Sequence, residues 1–306
     1  MDYSFQRYLA AKRTVDDRAL NRSVWSQMAD HILEWQRTRS INILEVGAGT
    51  GTMFERMVEW GALCQGNYTA IDAAAENIAQ ARLSIPDWAR SAGFGVNEAA
   101  GSDYKLERMK NEISLKLETI DLFDLIERDS EKNFYDMLVA HAFLDLFDIP
   151  SLLPRLISLV KPGGLLYLTI NFDGETIFEP VRDRIFEDKI IGLYHRSMDE
   201  RISAGQISGD SRSGRHLFKV LSQNGLDILS AGSSDWVVYP RNQVYPADEA
   251  YFLHYILDFF EEALGKRSEM DPLMLRNWLA DRHAQIDCGE LVYLAHQMDF
   301  LACRNF

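Results

Sequence analysis

The sequence predicts a doubly wound α/β protein with a mostly parallel, seven-stranded sheet. Three observations carry this: short apolar segments alternate with amphipathic helical ones, the first apolar segment ends in a run of glycines, and residues 165–172 are hydrophobic on both faces, as in a central parallel strand. Repeated strand–helix–strand order implies right-handed crossovers and helices on both sides of the sheet.

In chain order, residues 1–40 read as a helical cover. Thr14 and Asp17 have the spacing of a capping box, with Asp in place of Glu or Gln, and Val24, Trp25, Met28, Ala29, Ile32 and Leu33 share one helical face. The first strand is expected over 41–46, a helix over 52–60, the second strand over 67–72, and a helix over 76–92 kinked at Pro86. Ile113, Leu115 and Leu117 alternate with Ser114, Lys116 and Glu118, the period of a half-buried third strand. The fourth strand is expected over 134–142. A helix over 152–160, stopped at Lys161-Pro-Gly-Gly164, leads to the fifth strand over 165–172. Beyond it lie a charge-laced helix over 178–204, a Gly/Ser-rich loop over 205–214 and a helix over 215–224 ended by Gly225. Residues 226–239 read as a strand with an irregular centre, 247–264 and 272–286 as helices, and 291–303 as the final strand. The first of these helices is rich in aromatics (Tyr251, Phe252, Tyr255, Phe259, Phe260), which are candidates to cap a pocket. The expected organisation is a single domain in three parts: the cover at 1–40, a binding core at 41–175, and an acceptor-side half at 176–306 with a helical insertion over 247–286.

With 306 residues the chain fits one large or two modest domains of ~100–200 residues. The 32 Lys and Arg against 46 Asp and Glu leave a net charge of −14, a field that repels phosphate backbones, so nucleic acid is not an expected partner. Cys64, Cys288 and Cys303 form no CxxC pair and have no nearby His at ligand spacing, which points to a reducing compartment without disulfides or structural zinc. The opening MDYSFQRYLAAKRTVDDR lacks the apolar centre of a secretion signal, and no apolar run approaches the ~18–20 residues of a membrane span. A cytoplasmic protein without membrane attachment is expected.

The sharpest local signal is Glu45-Val-Gly47-Ala-Gly49-Thr-Gly51 at a strand-to-helix turn. Glycines there allow a tight turn and let a ligand lie against bare main chain, ahead of the unpaired N–H groups of a helix N-terminus. A dinucleotide fingerprint needs its third glycine at the sixth position, which is Thr52; here it is Gly51, one place early. Asp72 closes the second strand near the ~20-residue offset at which a carboxylate reaches ribose hydroxyls. Asp121 follows the third strand, Tyr135-Asp-Met-Leu-Val-Ala-His141 forms the fourth, and Val160-Lys-Pro-Gly-Gly-Leu165 precedes the fifth.

Together these segments resemble the class I S-adenosylmethionine-dependent methyltransferases over about residues 40–175. The resemblance implies their Rossmann-like fold, with the last strand antiparallel. It implies a donor site of Glu45, Gly47, Ala48, Gly49, Gly51, Asp72, Ala73, Asp121, Leu122, Ala140 and His141. In it Asp121 meets the adenine amino group, the Leu122 main chain touches the ring, and the carbonyls ending the fourth strand accept from the methionine ammonium. Arg18, with Arg13 beside it, is the candidate from the preceding helix for the donor's carboxylate. Asp72 and Asp121 are also placed to cap helices, and Glu45 either touches the ligand or holds the glycine turn.

On the acceptor side His141, with an ordinary pKa of ~6.5, is the candidate general base. Asn171 and Asp173 follow the fifth strand, Arg212 and Arg215 lie on the glycine-rich loop as a candidate clamp for a carboxylate or phosphate, and Trp236 and Tyr239, with Tyr245, are candidates for an aromatic wall. The fourth strand continues Ala140-His-Ala-Phe-Leu-Asp145 and lacks an Asn/Asp-Pro-Pro-Tyr motif, which disfavours methylation of base amino groups or protein glutamine. The expected reaction moves the sulfonium methyl of S-adenosylmethionine to an oxygen or nitrogen of a small molecule, releasing S-adenosylhomocysteine, with no metal. The alternatives are a protein methyltransferase, a non-catalytic relative that binds the donor, and an NAD-dependent oxidoreductase.

Overall fold

The computed structural model describes residues 4–99, 102–109, 111–203 and 206–305. In chain order they form α1 (Phe5–Ala19), α2 (Arg22–Gln36), β1 (Asn42–Val46), α3 (Thr52–Glu59), β2 (Gln65–Asp72), α4 (Ala75–Ser91), β3 (Gly95–Ala99), β4 (Ser102–Arg108), β5 (Asn111–Thr119), α5 (Leu122–Ile126), β6 (Tyr135–His141) and α6 (Ile149–Leu159). There follow β7 (Val160–Glu179), α7 (Arg184–Asp199), β8 (Ile202–Ser203), β9 (Gln206–Ile207), α8 (Ser213–Gln223), β10 (Leu226–Ser233), β11 (Trp236–Val238), α9 (Glu249–Leu264), α10 (Pro272–Asp287) and β12 (Val292–Arg304).

The main sheet runs β10-β12-β7-β6-β1-β2-β5-β4-β3, with β11 also paired to β12. Strands β5, β2, β1, β6 and β7 are mutually parallel. The last strand, β12, is antiparallel to both β7 and β10. All seven expected strands form, so the order reverses beside β1, where ligands bind at the strand C-termini of open α/β sheets. Three further strands join them. β3 and β4 extend the edge beyond β5 as an antiparallel hairpin, and β11 is a short continuation after β10.

Side chains alternate across the sheet. Ile43, Tyr68, Met137, Val139 and Tyr167 pack with α1–α4, α7, α9 and α10, whereas Leu44, Ile71, Leu138, Ala140 and Leu168 pack with α5, α6 and α8. The doubly wound arrangement follows from that period-two burial on central strands covered on both faces. Helix α9 is fixed over α1 by rings: Tyr8 stacks on Phe252 (centroids 5.6 Å apart) and on Tyr255 (4.5 Å).

Several expectations are corrected. Thr14 lies inside α1 and caps nothing; the cap that starts α2 is Asn21, whose side chain accepts from the Ser23 and Val24 N–H groups. The fifth strand already begins at Val160, takes in Lys161–Gly164 and runs on to Glu179, so Phe178 is strand and α7 begins only at Arg184, where Asp183 caps it by accepting from Phe186 N–H. Residues 202–203 pair with 206–207 as a two-stranded ladder; Ala204 and Gly205, expected in the helix and the glycine-rich loop, lie outside the described residues.

Candidate active site

The chain leaves β1 through glycines of positive φ: +64° at Gly47, +56° at Gly49 and +84° at Gly51, which starts α3. At Gly47 a Cβ would stand 2.2 Å from Cδ2 of Phe143, so that ring can close over the turn only because the position is glycine. The carboxylate of Asp72 holds the turn from the next strand. Its Oδ2 accepts from Gly49 N–H (2.8 Å), and its Oδ1 accepts from Ala74 N–H (2.8 Å) and from Asn77 Nδ2 (3.2 Å). Asp121 ends the next connection and caps α5 by accepting from Phe123 N–H (2.7 Å). Glu45 is buried and accepts from the Tyr68 hydroxyl (2.8 Å), not from the glycine turn. Burial pushes its carboxyl up to about 8, against the Tyr68 hydrogen bond and the charge of Arg56.

At the end of β6, His141 is locked between two partners. Its Nε2 lies 3.0 Å from Asp16 Oδ2 and its Nδ1 lies 2.8 Å from Thr169 Oγ1. A carboxylate only accepts, so Nε2 carries the proton and Nδ1 accepts from the hydroxyl. Burial lowers the imidazole to about 4, and the Lys12 and Arg56 charges add to this against the pull of Asp16. His141 is therefore neutral at pH 7 with both nitrogens engaged, which corrects its candidacy as a free general base. Asp16 is the hub. It accepts from Lys12 Nζ (2.7 Å) and from Trp236 Nε1 (2.9 Å), so it ties α1 to β6 and β11. Burial opposes its charge, but Lys12, His141 and Arg56 hold the carboxyl below its ordinary range.

These groups line one cavity of about 960 Å³. Of the expected donor residues, Glu45, Gly47, Ala48, Gly49, Asp72, Ala73, Asp121, Leu122 and His141 lie on its wall, while Gly51 and Ala140 stand behind it. Arg18 does not reach it. Its guanidinium is tied to Glu249 at 2.6 and 2.9 Å, and Arg13 is tied to Glu55 and Glu59. The basic side chain of α1 that faces the cavity is Lys12.

The cavity continues from the glycine turn into a chamber between β7, β11, β12, α7 and α9. Phe172, Tyr194, Trp236, Phe259 and Tyr293 supply aromatic walls, and α9 covers it, as its aromatic composition suggested. Of the expected acceptor residues only Trp236 is there. Asp173 is buried and accepts from the backbone N–H and Nε of Arg215, both at 2.8 Å, so it docks the start of α8 instead of facing the cavity. Asn171 is likewise buried, donating to Met298 O (2.9 Å), while Arg212 and Tyr239 are exposed away from the chamber and Tyr245 donates to Leu291 O. Four residues beyond β6, Asp145 also faces the chamber; its Oδ1 is shielded from solvent and has no partner among the described residues, and burial raises its carboxyl against the pull of the Arg201 charge.

Reading the sequence missed Lys12, Asp16, Asp145, the α7 residues Tyr194, Ser197 and Met198, and Arg201 just after α7. The signal for the first pair was present: Lys12 and Asp16 are four apart within the buried stripe Tyr8, Ala11, Val15 and Ala19. Among the described residues no group of three His, Cys, Asp or Glu side chains stands close enough to hold a metal ion, and no helix is long and apolar enough to cross a membrane. The donor end suits a ligand that is cationic and rich in hydroxyls. Bare backbone lies beside the carboxylates of Asp72 and Asp121 on one wall, with the raised and therefore protonated Glu45 carboxyl behind them as a neutral group.

The methyltransferase domain family matches residues 18–231 of the chain. No curated protein sequence matches it. Among solved structures, SpnF, a 4+2 cyclase, is 15% identical with a TM-score of 0.45, covering 98% of this chain and 93% of its own. The geranyl diphosphate C-methyltransferase of Streptomyces coelicolor A3(2), in complex with Mg2+, geranyl diphosphate and S-adenosyl-L-homocysteine, is 10% identical with a TM-score of 0.42, covering 91% and 79%. An N-methyltransferase of Haemonchus contortus, in complex with phosphomonomethylethanolamine and S-adenosylhomocysteine, is 13% identical with a TM-score of 0.42, covering 99% and 58%.

Proposed function

The chain belongs to the methyltransferase domain family and is an S-adenosylmethionine-dependent enzyme, and from that premise we propose that it methylates an oxygen or nitrogen of a small molecule held in the aromatic chamber. The observation that carries this is one continuous cavity, with the glycine turn at one end and a half-enclosed, ring-lined chamber at the other. A chamber closed by α7 and α9 suits a compact acceptor better than a polymer.

When bound, the donor supplies an electrophilic methyl group on a sulfonium. The glycine turn gives it main chain to lie against, Asp72 and Asp121 offer acceptor oxygens for its hydroxyl and amino groups, and Lys12 is the cation of α1 for its carboxylate. His141 and Asp16 act as a neutral-plus-anionic brace that positions Lys12 and Trp236. The rings exclude water and orient the acceptor, so alignment supplies most of the acceleration. Asp145 takes the acceptor's proton, since it faces the chamber and its Oδ1 has no partner among the described residues.

The test is transfer of labelled methyl from S-adenosylmethionine to fractionated metabolites, with heat-denatured protein and RNA alongside. Label in a low-molecular-weight fraction is expected, together with S-adenosylhomocysteine binding that NADH does not displace. Label confined to macromolecules overturns the small-molecule reading.

A further inference from the structure

Arg201 follows α7 and completes its cavity-facing stripe with Tyr194, Ser197 and Met198, spaced by three, four and seven residues. It is the arginine of the chamber whose side chain has no hydrogen bond or ion pair among the described residues. Its neighbour Arg267 is tied to Glu200 at 2.6 Å, and Lys12 is tied to Asp16. The other charged groups facing the chamber are Asp145 and Glu262. Asp145 is its electrostatic counterpart, the Arg201 charge pulling that carboxyl down against burial, but no hydrogen bond joins the two, so the guanidinium keeps its fork of donors open to the half-enclosed apolar space, and the group that best satisfies that fork is a carboxylate or phosphate. A second unmet group lies on the facing strand: Gln297, 2% exposed, lines the same chamber with its Oε1 unpartnered. It would accept from a hydroxyl or amino group of the same ligand.

We propose that Arg201 is the anion-binding residue of the acceptor site, so that the acceptor is a small carboxylate- or phosphate-bearing molecule with a planar apolar body. The body lies among Phe172, Tyr194, Trp236 and Phe259, the anionic group meets Arg201, and a donor group elsewhere on the ring or chain meets Gln297. The anion-clamping role expected of Arg212 and Arg215 moves to a residue that faces the cavity. This assignment rests on the chamber being the acceptor site, and the two are tested separately.

The protein is saturated with S-adenosylhomocysteine and titrated calorimetrically with 4-hydroxybenzoate, 4-hydroxybenzamide, phenyl phosphate and phenol. The wild type is expected to bind at least one anion tenfold or more tightly than its neutral counterpart, and whichever anion wins identifies the chemistry as carboxylate or phosphate. Arg201→Gln is expected to bring that ratio to within twofold while S-adenosylhomocysteine affinity stays unchanged, and Arg201→Lys to retain part of it. If Arg201→Gln does not fold, the salt dependence of wild-type anion binding against the neutral compound, and the Arg201→Lys ratio, carry the test. Neutral compounds binding as well as anions, no binding by either, or a preference that survives Arg201→Gln overturns the assignment. Failure of S-adenosylhomocysteine itself to bind overturns the methyl-transfer reading, whatever the anions do.

Discussion

Replacing Asp72 by asparagine probes the donor cradle at its most connected residue. In the wild type both carboxylate oxygens are engaged, Oδ2 by Gly49 N–H and Oδ1 by Ala74 N–H and Asn77 Nδ2. An amide keeps one acceptor and points an NH2 group at a backbone donor on the other side, so at least one charge-assisted bond becomes a donor facing a donor. Such bonds contribute about 1.5–3 kcal/mol each when intact. Asp72 is half-buried at the cavity wall, so water repairs part of the loss. Adding the expected contact to a ribose hydroxyl, S-adenosylhomocysteine affinity should fall by about 1–3 kcal/mol, or roughly 5- to 150-fold in Kd. Calorimetric titration reads the affinity and a parallel thermal melt reads how much of the effect is a loosened turn. Repeating the titration with the 2′-deoxy analogue separates the two roles, because a ribose contact makes the wild type discriminate against the analogue and the variant much less. A folded Asp72→Asn that binds S-adenosylhomocysteine within twofold of the wild type would refute the reasoning, and Asp72 would then be only a capping residue.

Three further outcomes follow from the geometry. Arg18→Ala should leave S-adenosylhomocysteine affinity unchanged and lower stability by about 1–3 kcal/mol in a denaturant melt, because it strips the fully buried Glu249 of its cation; weakened donor binding in a well-folded variant would return Arg18 to the site. Asp145→Asn should reduce kcat by about 10²–10⁴ for a hydroxyl acceptor and remove the acidic limb of the pH–rate profile, whereas His141→Gln should act mainly on folding and affinity; a full-speed Asp145→Asn assigns the proton elsewhere. Asp299 is buried and pushed up to about 6 by desolvation, although Asn21 N–H and Ile170 N–H both donate to it at 2.8 Å. Its folded pKa lies above the ordinary ~3.9, so its stabilising share is complete below pH ~4 and is lost as pH rises through 6, by about 3 kcal/mol at most. His141 works oppositely, losing stability as pH falls from 6.5 through 4. The readout is therefore the stability difference between wild type and Asp299→Asn, which should shift in favour of the variant from pH 5 to 8; a pH-independent difference contradicts the assignment.

The donor half of the site was legible in the sequence and the acceptor half was not, and the reason lies in what each depends on. Glu45 to Gly51, Asp72 and Asp121 sit at the ends of strands whose period-two pattern is local, and a parallel sheet brings consecutive strand ends to one edge whatever the rest of the chain does. Asn171 and Asp173 look just as placed by that logic, since they stand at the expected end of the next strand. They fail because β7 does not stop there but runs on to Glu179 beside β12, which turns Asp173 to the start of α8 and away from the cavity. Arg18 fails for a similar reason, being claimed by Glu249 on a helix 231 residues away. The residues that replace them, Lys12, Asp16, Tyr194 and Arg201, come from α1, from α7 and from the turn after α7, whose inward faces were readable as stripes but whose docking partners were not, because both helices pack on α9, far along the chain. Charged side chains inside an otherwise apolar stripe were the usable clue. Lys12 and Asp16 should have been read as an ion pair turned inward, since a chain does not place such groups on a buried face unless something there needs them.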